Sequence, residues 1–260
     1  MAGFMIPIFE KGCILTEDML EKAKNYAVDY VKLSYDGYSN GILSGCKVTM
    51  SGDLLYVNQG ILMFENHLYF VSDTLSTKVQ PGNQWQVLCF QVSNMSRTRN
   101  YLIGDIQLTI TTDLQDNPNR IEICRFRLQN GALLRNQYRD FNDLSTEFDT
   151  INEIYAQWSG YEKNTISNRV LREFAKEAMR KGVQNMQDLS FIQQILLLDH
   201  KSMNRDAIQF YLSSRLNRPY RQMTQIEIYD AFKEVLRNLN QTNTERSGVD
   251  TRMGRKIIVD

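Results

Sequence analysis

Histidine is nearly missing from this chain: His67 and His200 are the only two in 260 residues, and neither has a second metal ligand close by on the same face. Both imidazoles are therefore expected in solvent, His67 in a hairpin turn and His200 between two helices. The four cysteines, Cys13, Cys46, Cys89 and Cys124, are scattered and form no CxxC pair. They are expected to be buried, reduced thiols rather than a disulfide framework. No segment approaches the roughly eighteen apolar residues of a membrane span, and the opening MAGFMIPIFEKG lacks the basic region and apolar core of a signal peptide. The expectation is a chain made in the cytoplasm, with no membrane partner. Net charge is missing too. Thirty Lys and Arg offset thirty Asp and Glu, which leaves no global field to hold a nucleic acid.

The motifs of cofactor and nucleotide chemistry are likewise absent. There is no GxxxxGK[ST] loop and no GxGxxG after a strand, so no cofactor is expected. Asp105, Asp113, Asp116 and Glu122 lie near turns, and Asx bonding to the local backbone accounts for Asp113 and Asp116 in DLQDNPN. No acid pair, calcium loop or nucleophile with its base stands out, and the chain is not expected to be an enzyme. Arg169, Arg172, Lys176, Arg180 and Lys181 might suggest a DNA-reading helix, but Glu173 and Glu177 interleave with them. A salt-bridged, solvated face is the better reading.

What is present is patterned architecture. From Gly41 to Val71 short apolar segments alternate with Ser51-Gly52-Asp53, Asn58-Gln59-Gly60 and Glu65-Asn66-His67, which predicts a tight β-meander. Trp85 to Val92 is an almost unbroken β-former and the expected central strand. Arg120 to Leu128 breaks parity, which calls for a bulge near Cys124. Before the meander, Thr16 caps a helix with Met19, Ala23, Tyr26, Tyr30 and Leu33 on one stripe, expected to pack in the core. After the strands, Leu144, Phe148, Ile151, Tyr155 and Trp158 recur at four and three. That spacing predicts a helix from Asp143 to Trp158 whose seam packs internally or self-associates.

Four further helices follow. Thr165 is the expected cap of the first, which ends at Gly182; Asp188 begins the second; Met203-Asn204 precedes the third; Thr224 to Glu227 forms a capping box for the fourth. The fold class is α+β: an N-terminal segment and helix (1–40), an antiparallel β-sandwich or open barrel (41–142), a helical bundle (143–240) and an extended C-terminal arm (241–260). From Tyr161 onward 17 Lys and Arg stand against 12 Asp and Glu, a net of +5, which leaves −5 for the residues before it. Such asymmetry suits contacts between modules or subunits.

The phrase NGILSGCKVTMSGDLLYVNQGILMFENHLYFV resembles the N-terminal part of tail-fibre and baseplate proteins from bacteriophages and phage-like contractile particles. The matching residues are Gly41, Ile42, Ser44, Gly45, Val48, Gly60, Ile61, Tyr69 and Val71, and MIPIFEKGCILTEDMLE is similar to the start of such proteins in prophage-like clusters of Gram-positive bacteria. The resemblance covers roughly residues 5–135. It implies a structural component of a phage, tailocin or R-type bacteriocin tail, made in the bacterial cytoplasm and placed in the baseplate. Its partners would be other baseplate or tail-fibre proteins and further copies of itself. A fibre would continue into trimeric β-structure, whereas this chain turns helical beyond Asp143, which favours a baseplate or adaptor role.

Two other readings compete. A carbohydrate-binding module would stack sugar on exposed aromatics such as Tyr38, Tyr56, Tyr69 or Trp85, and a cell-wall hydrolase would need an acid pair. In the last twenty residues the apolar pattern is confined to Ile257, Ile258 and Val259. These β-branched residues suit strand addition to a neighbour, with Arg252, Arg255 and Lys256 meeting an acidic surface there.

Overall fold

The computed structural model describes residues 5–198 and 201–247, with 240–247 as backbone only. Helix α1, Glu17–Ser34, opens the fold. Thr16 caps it as expected, its Oγ1 accepting from the Met19 amide at 3.3 Å. The expected core packing does not occur, because no residue of α1 is buried.

Eleven strands follow: β1 (Gly41–Gly45), β2 (Val48–Ser51), β3 (Leu54–Val57), β4 (Gly60–Phe64), β5 (His67–Val71), β6 (Leu75–Lys78), β7 (Gln86–Val92), β8 (Ser96–Arg97), β9 (Leu102–Ile103), β10 (Ile106–Thr111) and β11 (Arg120–Phe126). Every pairing between them is antiparallel. Hairpins form at Ser51-Gly52-Asp53 and at Glu65-Asn66-His67, but Asn58-Gln59-Gly60 closes none, because β3 and β4 belong to different sheets. β2-β3-β6 and β1-β4-β5 are separate three-stranded sheets, and β7 is the centre of a third, β10-β7-β11. The chain changes sheet where backbones touch. A Cβ on Gly45, at φ +72°, would sit 2.2 Å from the Gln59 carbonyl oxygen, and one on Gly60 would sit 2.6 Å from the Cys46 nitrogen. Only glycine fits at that crossing. The bulge in β11 lies between Glu122 and Cys124, which lets both of these and Ile123 be buried. Cys46, Cys89 and Cys124 are buried, and burial pushes the Cys46 thiol up to about 12. Cys13, expected inside, is exposed.

The expected helix from Asp143 to Trp158 is absent. A 3₁₀ turn, Phe141–Ser145, is followed by an irregular run tied to the sheets by isolated bridges: Arg125 to Asn152, Arg135 to Thr150 and Ile42 to Trp158. Asp149 sits at φ +55°, which no α-helix accommodates. The 4-3 spacing is real, but Ile151 and Trp158 serve the β core while Leu144 serves the helical core.

The helical part contains α2 (Asn168–Lys181), α3 (Met186–Leu196), α4 (Arg205–Arg215) and α5 (Gln225–Ser247). Ser167, not Thr165, caps α2, because the Thr165 hydroxyl donates at 2.7 Å to the Met203 carbonyl. Gly182, at φ +79°, ends α2 as expected. Asn185 caps α3, which begins at Met186, two residues before the expected start. Thr224 and Glu227 form the capping box, with the Thr224 amide donating to Glu227 at 2.7 Å. Phe174 packs on Phe232 at 4.4 Å between ring centroids and Phe191 stacks on Tyr211 at 3.8 Å. Aromatic pairs of this kind add about 1 kcal/mol each beyond area burial. Because α5 is helical through Ser247, the expected extended arm does not begin at residue 241.

Candidate functional site

The irregular run from 135 to 167 is where the sheets meet the helices, and its charged groups are held in pairs. Arg135 donates to both oxygens of Asp143 at 2.6 Å, and Asp143 also accepts from Thr146 at 2.7 Å and from the Arg139 amide at 2.9 Å. The Arg135 hydrogen bond, aided by these others, holds the Asp143 carboxyl well below the usual carboxylate range. Arg169, near the start of α2, donates to Glu153 at 2.7 Å and to the Asn136 carbonyl, with its guanidinium 4.7 Å from the Tyr138 ring centroid. Tyr138 in turn donates to the Ile151 carbonyl at 2.6 Å, and burial drives its phenol far above its ordinary value.

Three more buried carboxylates follow the same rule. Glu122 meets Arg125 at 2.6 and 2.9 Å, Asp188 meets Arg215 at 2.8 and 3.0 Å, and Glu177 meets Arg180. Burial raises the Glu122 pKa, and the bonds and charge of Arg125 oppose that shift. All five buried carboxylates among the described residues thus face an arginine. Breaking such a pair from one side leaves an uncompensated charge in a low-dielectric interior. Their arrangement is that of fasteners. Among the described residues no three His, Cys, Asp or Glu side chains converge on one point.

One cleft, of about 450 Å³, lies between β1, β11 and α2. Ile42 and Trp158 form its apolar floor, and Lys47, Arg169, Arg172 and Lys176 contribute charge at its walls. Glu153 and Glu173 neutralise Arg169 and Lys176, whereas Lys47 and Arg172 have no carboxylate partner among the described residues. Arg172 instead donates to the Leu198 carbonyl. Asn168 Oδ1, buried at the cleft, has no hydrogen-bond partner, although its amide nitrogen donates to Lys201.

The residues singled out by the 4-3 spacing do not come together. Leu144 is buried among the helices; Ile151 and Trp158 are buried against the sheets; Phe148 lies under Arg127 and Tyr155 under Arg125. They form no common face for a second copy. Arg252, Arg255, Lys256, Ile257, Ile258 and Val259 lie outside the described residues, as does His200. His67 stands at the start of β5, half-buried, with Nδ1 2.7 Å from the Glu65 carbonyl. The aromatics offered for sugar stacking are not free platforms. Tyr69 is buried edge-on to Phe64, Tyr38 packs between Tyr35 and Tyr161, and Tyr56 and Trp85 are half-buried.

The surface feature that the sequence pattern showed without its exposure is N-terminal. Met5, Ile6, Ile8, Phe9, Ile14, Leu15, Leu20, Tyr26, Val28, Tyr30 and Leu33 are all exposed, eleven of the twenty-four exposed large apolar side chains among the described residues. Among the described residues these lie close together in the sequence, between Met5 and Leu33. Among the described residues no helix is long and apolar enough to cross a membrane.

No family model and no curated protein matches this chain. Among solved structures it is similar to the crystal structure of TssK, at 8% identity and a TM-score of 0.41, over 92% of this chain and 72% of that one. It is also similar to a chain of the type VI secretion system TssK-TssF-TssG baseplate subcomplex, at 11% identity and 0.40 over 92% of this chain and all of the other. A chain of the baseplate complex from the type VI secretion system gives 9% identity and 0.38, again over 92% of this chain and all of the other.

Proposed function

We propose that this chain is a non-enzymatic structural component of a phage-like contractile tail, a baseplate or tail-fibre adaptor that joins neighbouring subunits, itself included. The carrying observation is a contrast within the chain: the buried carboxylates are each neutralised by arginine, while the N-terminal stretch leaves its apolar side chains uncovered. A catalyst needs a reactive group held free; an assembly subunit needs apolar surface that its neighbours cover. The phrase resembling tail proteins lies in the β part, and its Gly45 and Gly60 form the crossing between two sheets. The particle is a phage or a tailocin of a Gram-positive bacterium, and Ile257 to Val259 with Arg252, Arg255 and Lys256, outside the described residues, bind a neighbour within it.

The test is particle isolation from induced cells, with the chain followed by mass spectrometry. It should sediment with sheath and tube proteins, and Ile258→Asp should leave it folded but outside the particle. Absence of the wild-type chain from purified particles would sink the reading, as would hydrolysis of peptidoglycan by the purified protein.

A further inference from the structure

Helix α1 stands off the body with its apolar stripe in solvent: Tyr30 is 69% exposed and Leu33 79%. Its C-terminal end is fixed. The ring of Tyr161 lies against Gly37, Ser39 donates to the Gly160 carbonyl at 2.9 Å and Glu162 donates to that of Gly37 at 2.7 Å. Along the helix itself no residue is buried.

Met19, Ala23, Tyr26, Tyr30 and Leu33 follow steps of four and three, the spacing of a seam that faces another helix. We propose that α1 pairs antiparallel with α1 of a second copy of this chain, about a two-fold axis near its midpoint. The proposal rests on the self-association reading above and names its surface and orientation.

Orientation follows from which residues meet. In the antiparallel register each Ala23 faces the other copy's Tyr26, and each Met19 faces Tyr30. Beside the seam, Leu20 meets Ala27 and Lys22 meets Asp29. Small is set against large in the Ala23 and Ala27 layers, and the flanking charges are opposite. A parallel pair would instead stack Ala23 on Ala23, which leaves a void, and Tyr26 on Tyr26 and Tyr30 on Tyr30, which crowds the seam. Its Lys22 and Asp29 would face Ala27 and Ser34, with no charge partner. In the single chain Asp29 has no cation partner among the described residues, while Lys22 is bound to Asp18 at 2.5 Å on the exposed face and can be shared. An isologous contact of this kind closes on itself as a two-fold dimer.

An 18-residue helix is about 27 Å long, and two and a half heptads are marginal alone. The exposed Met5, Ile6, Ile8, Phe9, Ile14 and Leu15 just before it supply further apolar surface to cover the pair.

The test uses the full chain with Cys13→Ser, which leaves only buried thiols. Ala23→Cys and Tyr26→Cys are made separately, one with a size tag, then mixed and oxidised with glutathione. The mixed disulfide should dominate, and each variant alone should stay unlinked. Homodisulfides in the separate variants indicate a parallel pair and overturn the proposal, as does the absence of any cross-link. Light scattering separates this surface from self-association in general. The wild-type mass should be that of two chains and should halve for Tyr26→Glu with Tyr30→Glu, with the thermal melt of the body unchanged. An oligomer that persists in that double variant refutes the α1 contact and leaves self-association standing, whereas a wild-type monomer overturns both.

Discussion

Helices α1 and α2 carry the same local signals and meet opposite fates. Each has a hydroxyl cap, an apolar stripe and a basic last turn. In α2 that stripe, Val170, Leu171, Phe174, Ala175 and Ala178, is buried under α3 and α5. In α1 nothing is buried. Amphipathic spacing tells which face of a helix avoids water, and it is silent on what covers that face. The two helices can therefore be separated by experiment, one as part of the folding unit and the other as a surface.

The largest difference should come from the stripes themselves. Phe174→Ala removes a ring that touches Phe141, Phe191, Tyr211 and Phe232, and should cost about 3–5 kcal/mol in urea unfolding. Tyr30→Ala in α1, measured dilute enough for single chains, should shift the same transition by less than about 0.5 kcal/mol. Equal costs would mean that α1 belongs to the body.

A smaller loss is expected at the charged root of α2. Arg169→Met leaves Glu153 buried without its cation and should cost about 3 kcal/mol, much of it recovered when Glu153→Gln is added. Additive losses from the two substitutions would show that the pair is not coupled. At the caps the contrast sharpens further. Ser167→Ala should cost the body about 1 kcal/mol, whereas Thr16→Ala should lower helical circular dichroism and leave the unfolding midpoint in place.

A last effect is read in acid. The folded-state pKa of Asp143 is depressed, so its contribution to stability is present above the unfolded value of about 3.9 and is lost as pH falls below it toward the folded value. Asp143→Asn should flatten stability against pH in that window. An unchanged slope below pH 4 would mean that other carboxylates govern acid unfolding.

Much of this architecture was readable where the cause is local. The hairpin turns at Ser51-Gly52-Asp53 and Glu65-Asn66-His67, the β11 bulge, the Thr16 cap, Gly182 and the Thr224–Glu227 box each act within a few residues, and each stands where its chemistry put it. What was not readable depends on distant partners. The 4-3 series from Leu144 to Trp158 matches a helix by spacing, but Arg135, Arg125 and Ile42 bind its backbone from other parts of the chain and hold it extended. Thr165 is a good cap by type, yet the Met203 carbonyl claims its hydroxyl. The candidate surface was half legible: the stripe of α1 can be seen in the sequence, and its exposure cannot.

The fixed end of α1 at Tyr161 would also set a geometry for the proposed pair. A helix rooted at one end behaves as a spacer, and two such spacers crossing near their midpoints place their roots at opposite ends, about 30 Å apart at 1.5 Å per residue. In that proposed pair the two bodies would be kept from touching one another across the axis. The clefts beside their second helices, with Lys47 and Arg172 unneutralised, would then stay uncovered by the pairing. Shortening the link between Ser34 and Ser39 would swing both bodies inward together, so the reach of such a dimer is set by a handful of residues around one glycine.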